Sequence, residues 1–390
     1  MFKESIIQGR VRVMTNNKQS TSTRRKFLGG AAVAGVATIA MPQVSRAQTV
    51  TLKMQSGFGP TDILSDYGRD YVAKVNEMGG GRLKIDFLNS GAVVKPFSVM
   101  DATSDGVLDA NWSVPAYWYG KHRAASLFGT GPVYGTNADQ YMSWFYYGGG
   151  DALYRELTQN ILKLNVVGYF SFAMPTQPLG WFKKAINGPE DFKGMKYRTV
   201  GLASNVMQAM GASVAQLPGP EILPAMEKGV IDAFEFNNPT SDSRFGAQDV
   251  AKFYYLGSYH QASEAIEVVY NKEKFDALAK EQQQILKIAV QATSADGGWK
   301  AWDIYSKDLE TLQTKHGVQV KRTPVSIFKA QLAAWDKVVT EVSADSAQGP
   351  FIKKVLDSQK AWGKRVGFYA INNEADFKSA YEHYFGAMKV

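Results

Sequence analysis

Cysteine is missing from all 390 residues of the chain. That excludes disulfides, thiolate nucleophiles and any zinc, haem or iron–sulfur centre held through a cysteine thiolate. Histidine is nearly missing: His122, His260, His316 and His383 are far apart and form no H-E-x-x-H pair. No G-x-S-x-G elbow or P-loop occurs. Glycine triplets stand at 79–81 and 148–150, the first reading as a helix C-cap after Met78 and the second as a turn. The apolar run Leu28–Met41 has 14 residues, against the roughly 20 that span a bilayer. No later segment is both apolar and long enough. The chemistry left to the chain is that of carboxylates, amides, guanidinium groups and aromatic rings.

A charge excess is also absent from most of the chain. The formal net charge is +8, from 44 basic and 36 acidic residues. Residues 1–47 hold eight of the basic residues and only Glu4 on the acidic side, which leaves 36 against 35. The remainder is close to neutral and makes no electrostatic case for nucleic acid. The segment STRRKFLGGAAVAGVATIAMPQVSRA (22–47) carries twin arginines Arg24 and Arg25, then the apolar run, then Ser45-Arg46-Ala47. It resembles a Tat export signal removed after Ala47. About 343 residues would remain, enough to bury a core without cross-links.

From residue 50 the periodicity alternates. Val50, Leu52 and Met54 mark a strand; Ile63, Tyr67, Tyr71, Val75 and Met78 a helix; Leu83, Ile85 and Phe87 a second strand. A short helix to about Asp105 and the strand VLDANW complete a βαβαβ unit, an α/β fold. One piece recurs: MDATSDGVLDANW (100–112) and AMEKGVIDAFEFN (225–237) share Gly-Val-Leu/Ile-Asp-Ala after a helix. Two lobes of like topology would place Trp112–Tyr119 and Glu235–Asn238 at matching strand ends, where open α/β sheets bind ligands. Such a chain can close on its ligand. Met195, Tyr197 and Thr199 mark a strand that breaks at Gly201, and Leu202, Val206 and Met210 follow at helical spacing. Arg198 therefore sits at a strand end, with a rigid fork of donors suited to a carboxylate. Tyr117, Trp118 and Tyr119 follow the first-lobe strand as candidate ligand contacts, and Phe58 as an apolar wall.

Beyond 270 the chain reads as helical. Ile285, Ile288, Ala292, Trp299, Trp302 and Leu309 predict one long helix over about 280–315, with Gly297-Gly298 as a bend. Val318 and Val320 mark a strand, and Pro324 opens a helix with a buried stripe of Phe328, Leu332, Trp335 and Val339. Phe377, Tyr381 and Tyr384 form a last aromatic stripe, read as core or dimer surface.

The string MKYRTVGLASNVMQAMGASVAQLPGPEILPAMEKGVIDAFEFNNP, with NSGAVVKPFSVMDATSDGVLDA, YWYGK, GGGDALY and QPLGWFKKAI, resembles the DctP-type solute receptors of TRAP transporters, and within them the subgroup for α-keto and related monocarboxylic acids. The resemblance covers nearly all of the chain after the leader. It implies an α/β, two-lobed periplasmic binding protein (type II-like) with a long helix spanning both lobes and a helical C-terminal segment. The expected division is leader 1–47, lobe I 48–165, lobe II 166–270, and spanning and C-terminal helices 271–390. Arg198 matches the family's carboxylate-binding arginine. The resemblance further implies substrate contacts at Gln177 and Asn238 and a cation held by Gln177, Glu235, the Phe236 carbonyl and the position of Gln261. Na⁺ is expected, with Ca²⁺ the alternative. The subgroup usually has Trp at Phe236 and a glutamate at Gln261. It implies no catalytic cofactor, a small organic acid ligand, membrane-embedded TRAP subunits as partners, a homodimer, and export to the periplasm.

Other readings stay open. The ligand is pyruvate-like, or a lactate-like hydroxy acid, or an aromatic acid. A different class altogether is an exported hydrolase or oxidoreductase using Glu235 and His260 as acid and base. It lacks a nucleophile motif and a cofactor fingerprint.

Overall fold

The computed structural model describes residues 49–388; the expected leader lies outside the described residues. In chain order the strands are β1 (Val50–Ser56), β2 (Leu83–Leu88), β3 (Ala110–Ser113), β4 (Val166–Met174), β5 (Gly180–Phe182), β6 (Lys196–Arg198), β7 (Ser213–Ala215), β8 (Ala233–Phe234), β9 (Phe253–Leu256), β10 (Glu264–Asn271) and β11 (Gln319–Arg322). They build two sheets, β2-β1-β3-β10-β4 and β11-β9-β5-β8-β6-β7.

The internal repeat is structural. β1 is flanked by β2 and β3, both parallel to it, and β6 is flanked in the same way by β7 and β8. Each Gly-Val-Leu/Ile-Asp-Ala string starts on a left-handed glycine, Gly106 at φ +76° and Gly229 at φ +68°, a conformation that only glycine adopts freely. The aspartate then clamps the central strand. Asp109 N donates to Lys53 O at 3.1 Å and Lys53 N to Asp109 Oδ2 at 2.8 Å. Asp232 N donates to Lys196 O at 2.7 Å and Lys196 N to Asp232 Oδ2 at 3.2 Å. The expected strand VLDANW is shorter than read, because Val107–Asp109 forms this turn and pairing begins at Ala110.

Helix Ile63–Gly79 buries Ile63, Tyr67, Tyr71 and Val75, starts on the Asp62 cap and stops at Gly80, φ +53°. The helix Leu202–Ala209 follows β6, and Gly201 turns between them at φ +62°.

Sheet pairing moves the expected lobe boundaries. The expected second lobe, 166–270, takes in β4 and all of β10 but its last residue, yet β10 pairs with both β4 and β3 in the first sheet. The second lobe begins after Met174 and ends before Glu264, and β11 rejoins it later. The two crossings run side by side: Gln177 N donates to Gln261 O at 3.1 Å, and Thr176 Oγ1 to Ala262 O at 3.0 Å.

The long helix is Lys280–Thr314. Leu286, Ala289, Val290 and Tyr305 join the core of the first sheet, and Leu312 joins that of the second, so one helix spans both. It does not break at Gly297-Gly298; Gly297 instead admits the Phe172 ring, 3.3 Å from where a Cβ would stand. Trp299 and Trp302 are exposed. In helix Val325–Ser343 Pro324 is the cap rather than the first turn, and the buried stripe is Ile327, Gln331, Ala334, Trp335, Val338 and Val342, displaced by one position from Phe328, Leu332 and Val339. Helix Gly349–Asn373 follows. In the last helix, Phe377–Phe385, Phe377, Tyr381 and Tyr384 are exposed, so this stripe is not core. No described helix is long and apolar enough to cross a membrane.

Candidate functional site

Arg198 ends β6 with its side chain 1% exposed. Nε donates to Leu217 O at 2.8 Å, and Nη1 donates to Glu235 O at 2.6 Å and to Glu235 Oε1 at 3.0 Å. The guanidinium faces the Phe236 ring at 5.5 Å. Three bonds fix its plane, and Nη2 has no protein acceptor among the described residues. An arginine held in this way presents pre-organised donors to an incoming carboxylate.

Beside it lies a cluster of buried oxygens. Glu235 follows β8, and its N–H donates to Arg198 O at 3.2 Å. Burial pushes its carboxyl up to about 7, against the pull of Arg198. One terminal atom of the Gln261 amide lies 3.0 Å from Gln177 Oε1 and 3.2 and 2.8 Å from the two Glu235 oxygens, while the other lies 3.2 Å from Thr130 Oγ1. The two orientations of this amide differ chemically. With nitrogen inward it donates to Gln177 and Glu235 and satisfies the cluster by hydrogen bonds. With oxygen inward, four oxygens converge, and a hard cation or a proton on Glu235 relieves their repulsion. Amide, carboxylate and oxygen-rich surroundings make this donor set suitable for Na⁺ or Ca²⁺. No group of three His, Cys, Asp or Glu ligands occurs among the described residues, so any such site depends on the two glutamines. Gln177 and Gln261 stand on the two adjacent crossings, which ties the cluster to the connection between lobes.

Glu264 opens β10, and Gln177 Nε2 donates to its Oε2 at 2.9 Å. Burial and the Glu235 charge push it up to about 8, so it is mostly protonated at neutral pH. Its Oε1 has no partner among the described residues. His260 is held neutral, lowered to about 3 by burial and by Arg198, with Nδ1 against Ser258 Oγ. A base of that strength, next to a glutamate already engaged by Arg198, is a poor acid–base pair at neutral pH.

The three aromatic residues after β3 diverge. Tyr117 lines a cavity of about 220 Å³ together with Phe58, Phe236, Gly219, Pro220 and Phe245. Phe236 is the wall shared with Arg198. Trp118 turns away: its indole donates to Glu267 Oε1 at 2.8 Å and packs with Tyr154 in the core, so it does not meet the expectation of a ligand contact. Tyr119 reaches across the cleft, its hydroxyl donating to Asn205 Oδ1 at 2.7 Å. Asn238 caps the helix Pro239–Arg244, accepting from Ser241 N at 2.9 Å and donating to Asn237, which leaves its amide occupied by the protein. A larger cavity of about 580 Å³ between Asn137–Tyr147 and Trp299/Trp302 has Asp139 as its only charged lining residue among the described residues and offers an anion no positive charge.

Sequence reasoning missed the Leu217 carbonyl and Thr130, which no local pattern marks. It also passed over Asp62, Ser241 and Arg244, which line the 220 Å³ cavity. For Asp62 and Ser241 the available signal was their position at the start of helices that follow strands; Arg244, at the end of its helix, had none.

Residues 60–348 match the model of bacterial extracellular solute-binding proteins, family 7. A monocarboxylate 2-oxoacid-binding periplasmic protein of Nostoc sp. is 31% identical over 368 residues, 91% of this chain and 98% of the relative. A TRAP periplasmic solute-binding protein from Colwellia psychrerythraea, solved with calcium and pyruvate, is 28% identical with a TM-score of 0.78 over 87% of this chain and 100% of that one. Another from Pseudoalteromonas atlantica, solved with sodium and pyruvate, is 27% identical with a TM-score of 0.77 over 88% and 100%. With a family model matched over most of its length and a relative 31% identical across 91% of it, the chain belongs to the DctP family of periplasmic solute-binding proteins that serve TRAP transporters.

Proposed function

We propose that the protein captures a small 2-oxo monocarboxylate, pyruvate or a close homologue, and delivers it to TRAP membrane subunits without chemical change. The observation that carries this reading is the Arg198 guanidinium, fixed by three bonds with Nη2 unspent beside the oxygen cluster. Arg198 takes the carboxylate, and Tyr117, Phe58 and Phe236 enclose the side chain. A cavity of about 220 Å³ suits a ligand smaller than those filling typical pockets of roughly 300–1,000 Å³. Gln177, Glu235, Gln261 and the Phe236 carbonyl would hold a cation, which supplies a charge for the carboxylate and the 2-oxo oxygen to share.

Charge balance favours a monovalent ion. With Glu264 protonated, Arg198 contributes +1, Glu235 −1 and the ligand −1. A buried residual charge is costly, and one Na⁺ removes it. Calcium in one relative and sodium in another support a cation there. The leader at 1–47 takes the chain out by the twin-arginine route on this reading. Native mass spectrometry of gently purified protein tests the ligand class. A co-purifying 2-oxo monocarboxylate supports it; a ligand without a carboxylate overturns it.

A further inference from the structure

The far rim of the 220 Å³ cavity is built by both lobes. Thr61 and Asp62 come from the start of helix Ile63–Gly79, and Ser241 and Arg244 from helix Pro239–Arg244. Asp62 Oδ1 accepts from Leu64 N at 2.9 Å and from Ser241 Oγ at 2.9 Å, so the second bond crosses the cleft. Next to it Arg244 Nη1 donates to Thr61 O at 3.1 Å and pairs with Asp66 at 2.6 Å. Asp66 is also paired with Arg69 at 2.6 Å.

These charges are not equivalent. Arg244, Asp66 and Arg69 are each about a third or more exposed, with both guanidinium groups paired to the one carboxylate in hydrated surroundings. Asp62 is 7% exposed and forms no ion pair among the described residues. A buried carboxylate without an ion-pair partner acts on a neighbouring charge more strongly than a hydrated, paired one, although Arg244 offsets part of the Asp62 charge. Tyr117 and Phe236 line the cavity together with Asp62, and the Arg198 guanidinium faces the Phe236 ring at 5.5 Å. A ligand anchored at Arg198 that enters this cavity therefore approaches Asp62.

We propose that Asp62 makes the far end of the pocket a charge filter that rejects 2-oxo dicarboxylates and admits 2-oxo monocarboxylates. This rests on the binding reading above. A second carboxylate on the ligand would face Asp62 at the rim of the cavity, where juxtaposed like charges disfavour a partner. The competing idea, that Arg244 anchors such a carboxylate, requires it to leave Asp66 and Thr61.

The test is calorimetry with pyruvate, 2-oxobutyrate and 2-oxoglutarate on the wild type, Asp62→Asn and Arg244→Gln. Asparagine is an equally good helix cap and still accepts from Ser241, so the first variant keeps the fold. The filter predicts that Asp62→Asn raises the ratio of 2-oxoglutarate to 2-oxobutyrate affinity by about 10- to 100-fold, a difference of roughly one to two powers of ten in Kd. An unchanged ratio, with monocarboxylates still bound, overturns the filter alone. Preference of the wild type for 2-oxoglutarate, lost in Arg244→Gln, overturns it in favour of the arginine anchor. A wild type that binds none of the three overturns the ligand reading and the filter with it.

Discussion

Arg198 holds Glu235 twice, through the main-chain carbonyl at 2.6 Å and through the carboxylate at 3.0 Å, with both side chains essentially without exposure. The main-chain bond survives any change at the Glu235 side chain. The carboxylate bond does not, and its loss leaves a buried guanidinium short of a counter-charge.

Glu235→Gln is therefore predicted to lower the stability of the ligand-free protein by about 2–5 kcal/mol, with much of the loss recovered on adding a monocarboxylate, which then balances Arg198. Chemical denaturation with and without pyruvate measures both. A variant as stable as the wild type without ligand contradicts the pairing.

Gln261→Glu places at this position the carboxylate that the family resemblance leads one to expect. Once ionised it cannot donate to Glu235, so the cluster loses its ion-free solution. Thermal unfolding is predicted to fall by a few degrees in chelator and to rise with Ca²⁺, whereas the wild type responds little to Ca²⁺. Identical responses of the two proteins would mean that the Gln261 amide plays no part in holding a cation.

Gly201 sits at φ +62°, and a Cβ there would stand 2.3 Å from Ser126 Oγ of the opposite lobe. Leu202 N donates to that same oxygen at 3.0 Å. Gly201→Ala is predicted to destabilise by about 1–3 kcal/mol from left-handed strain and overlap and to speed ligand release. Stopped-flow dissociation reads the second effect. Release at the wild-type rate would place the closing contacts elsewhere.

Glu267 sits outside the pocket, between the Trp118 indole and the Tyr154 hydroxyl. Burial raises its carboxyl from the usual 4.5 to about 7. A raised carboxyl binds its proton more tightly folded than unfolded, so its contribution is full below about pH 4.5 and is lost as pH rises through 7. Its share is roughly 3 kcal/mol between those limits. Glu267→Gln is predicted to lose less stability than the wild type between pH 5 and pH 8. Parallel pH profiles for the two proteins would contradict this.

The sequence made the frame legible wherever one strand or helix buries a regular face. Arg198 was found in this way, at the end of an alternating strand. The residues after β3 resisted because Pro115–Trp118 is a 3₁₀ turn. With three residues per turn, neighbours point in different directions, which sends Tyr117 to the pocket, Trp118 to the core and Tyr119 across the cleft. β10 is buried along its whole length, Glu264 and Glu267 included, and no alternation separates its faces. The lobe boundary was misplaced because a strand's position in sequence does not state its sheet partner: β4 follows the first lobe in the chain and pairs with β10, some ninety residues later.

The reading as a whole turns on one guanidinium. Calorimetric titration of pyruvate into the wild type and Arg198→Ala, in Na⁺ buffer and again with choline in its place, tests it directly. The predicted result is wild-type binding that weakens without Na⁺, and a variant whose affinity falls roughly 30- to 5,000-fold, the equivalent of about 2–5 kcal/mol. An Arg198→Ala protein that binds pyruvate within about threefold of the wild type, a difference under about 1 kcal/mol, would contradict it.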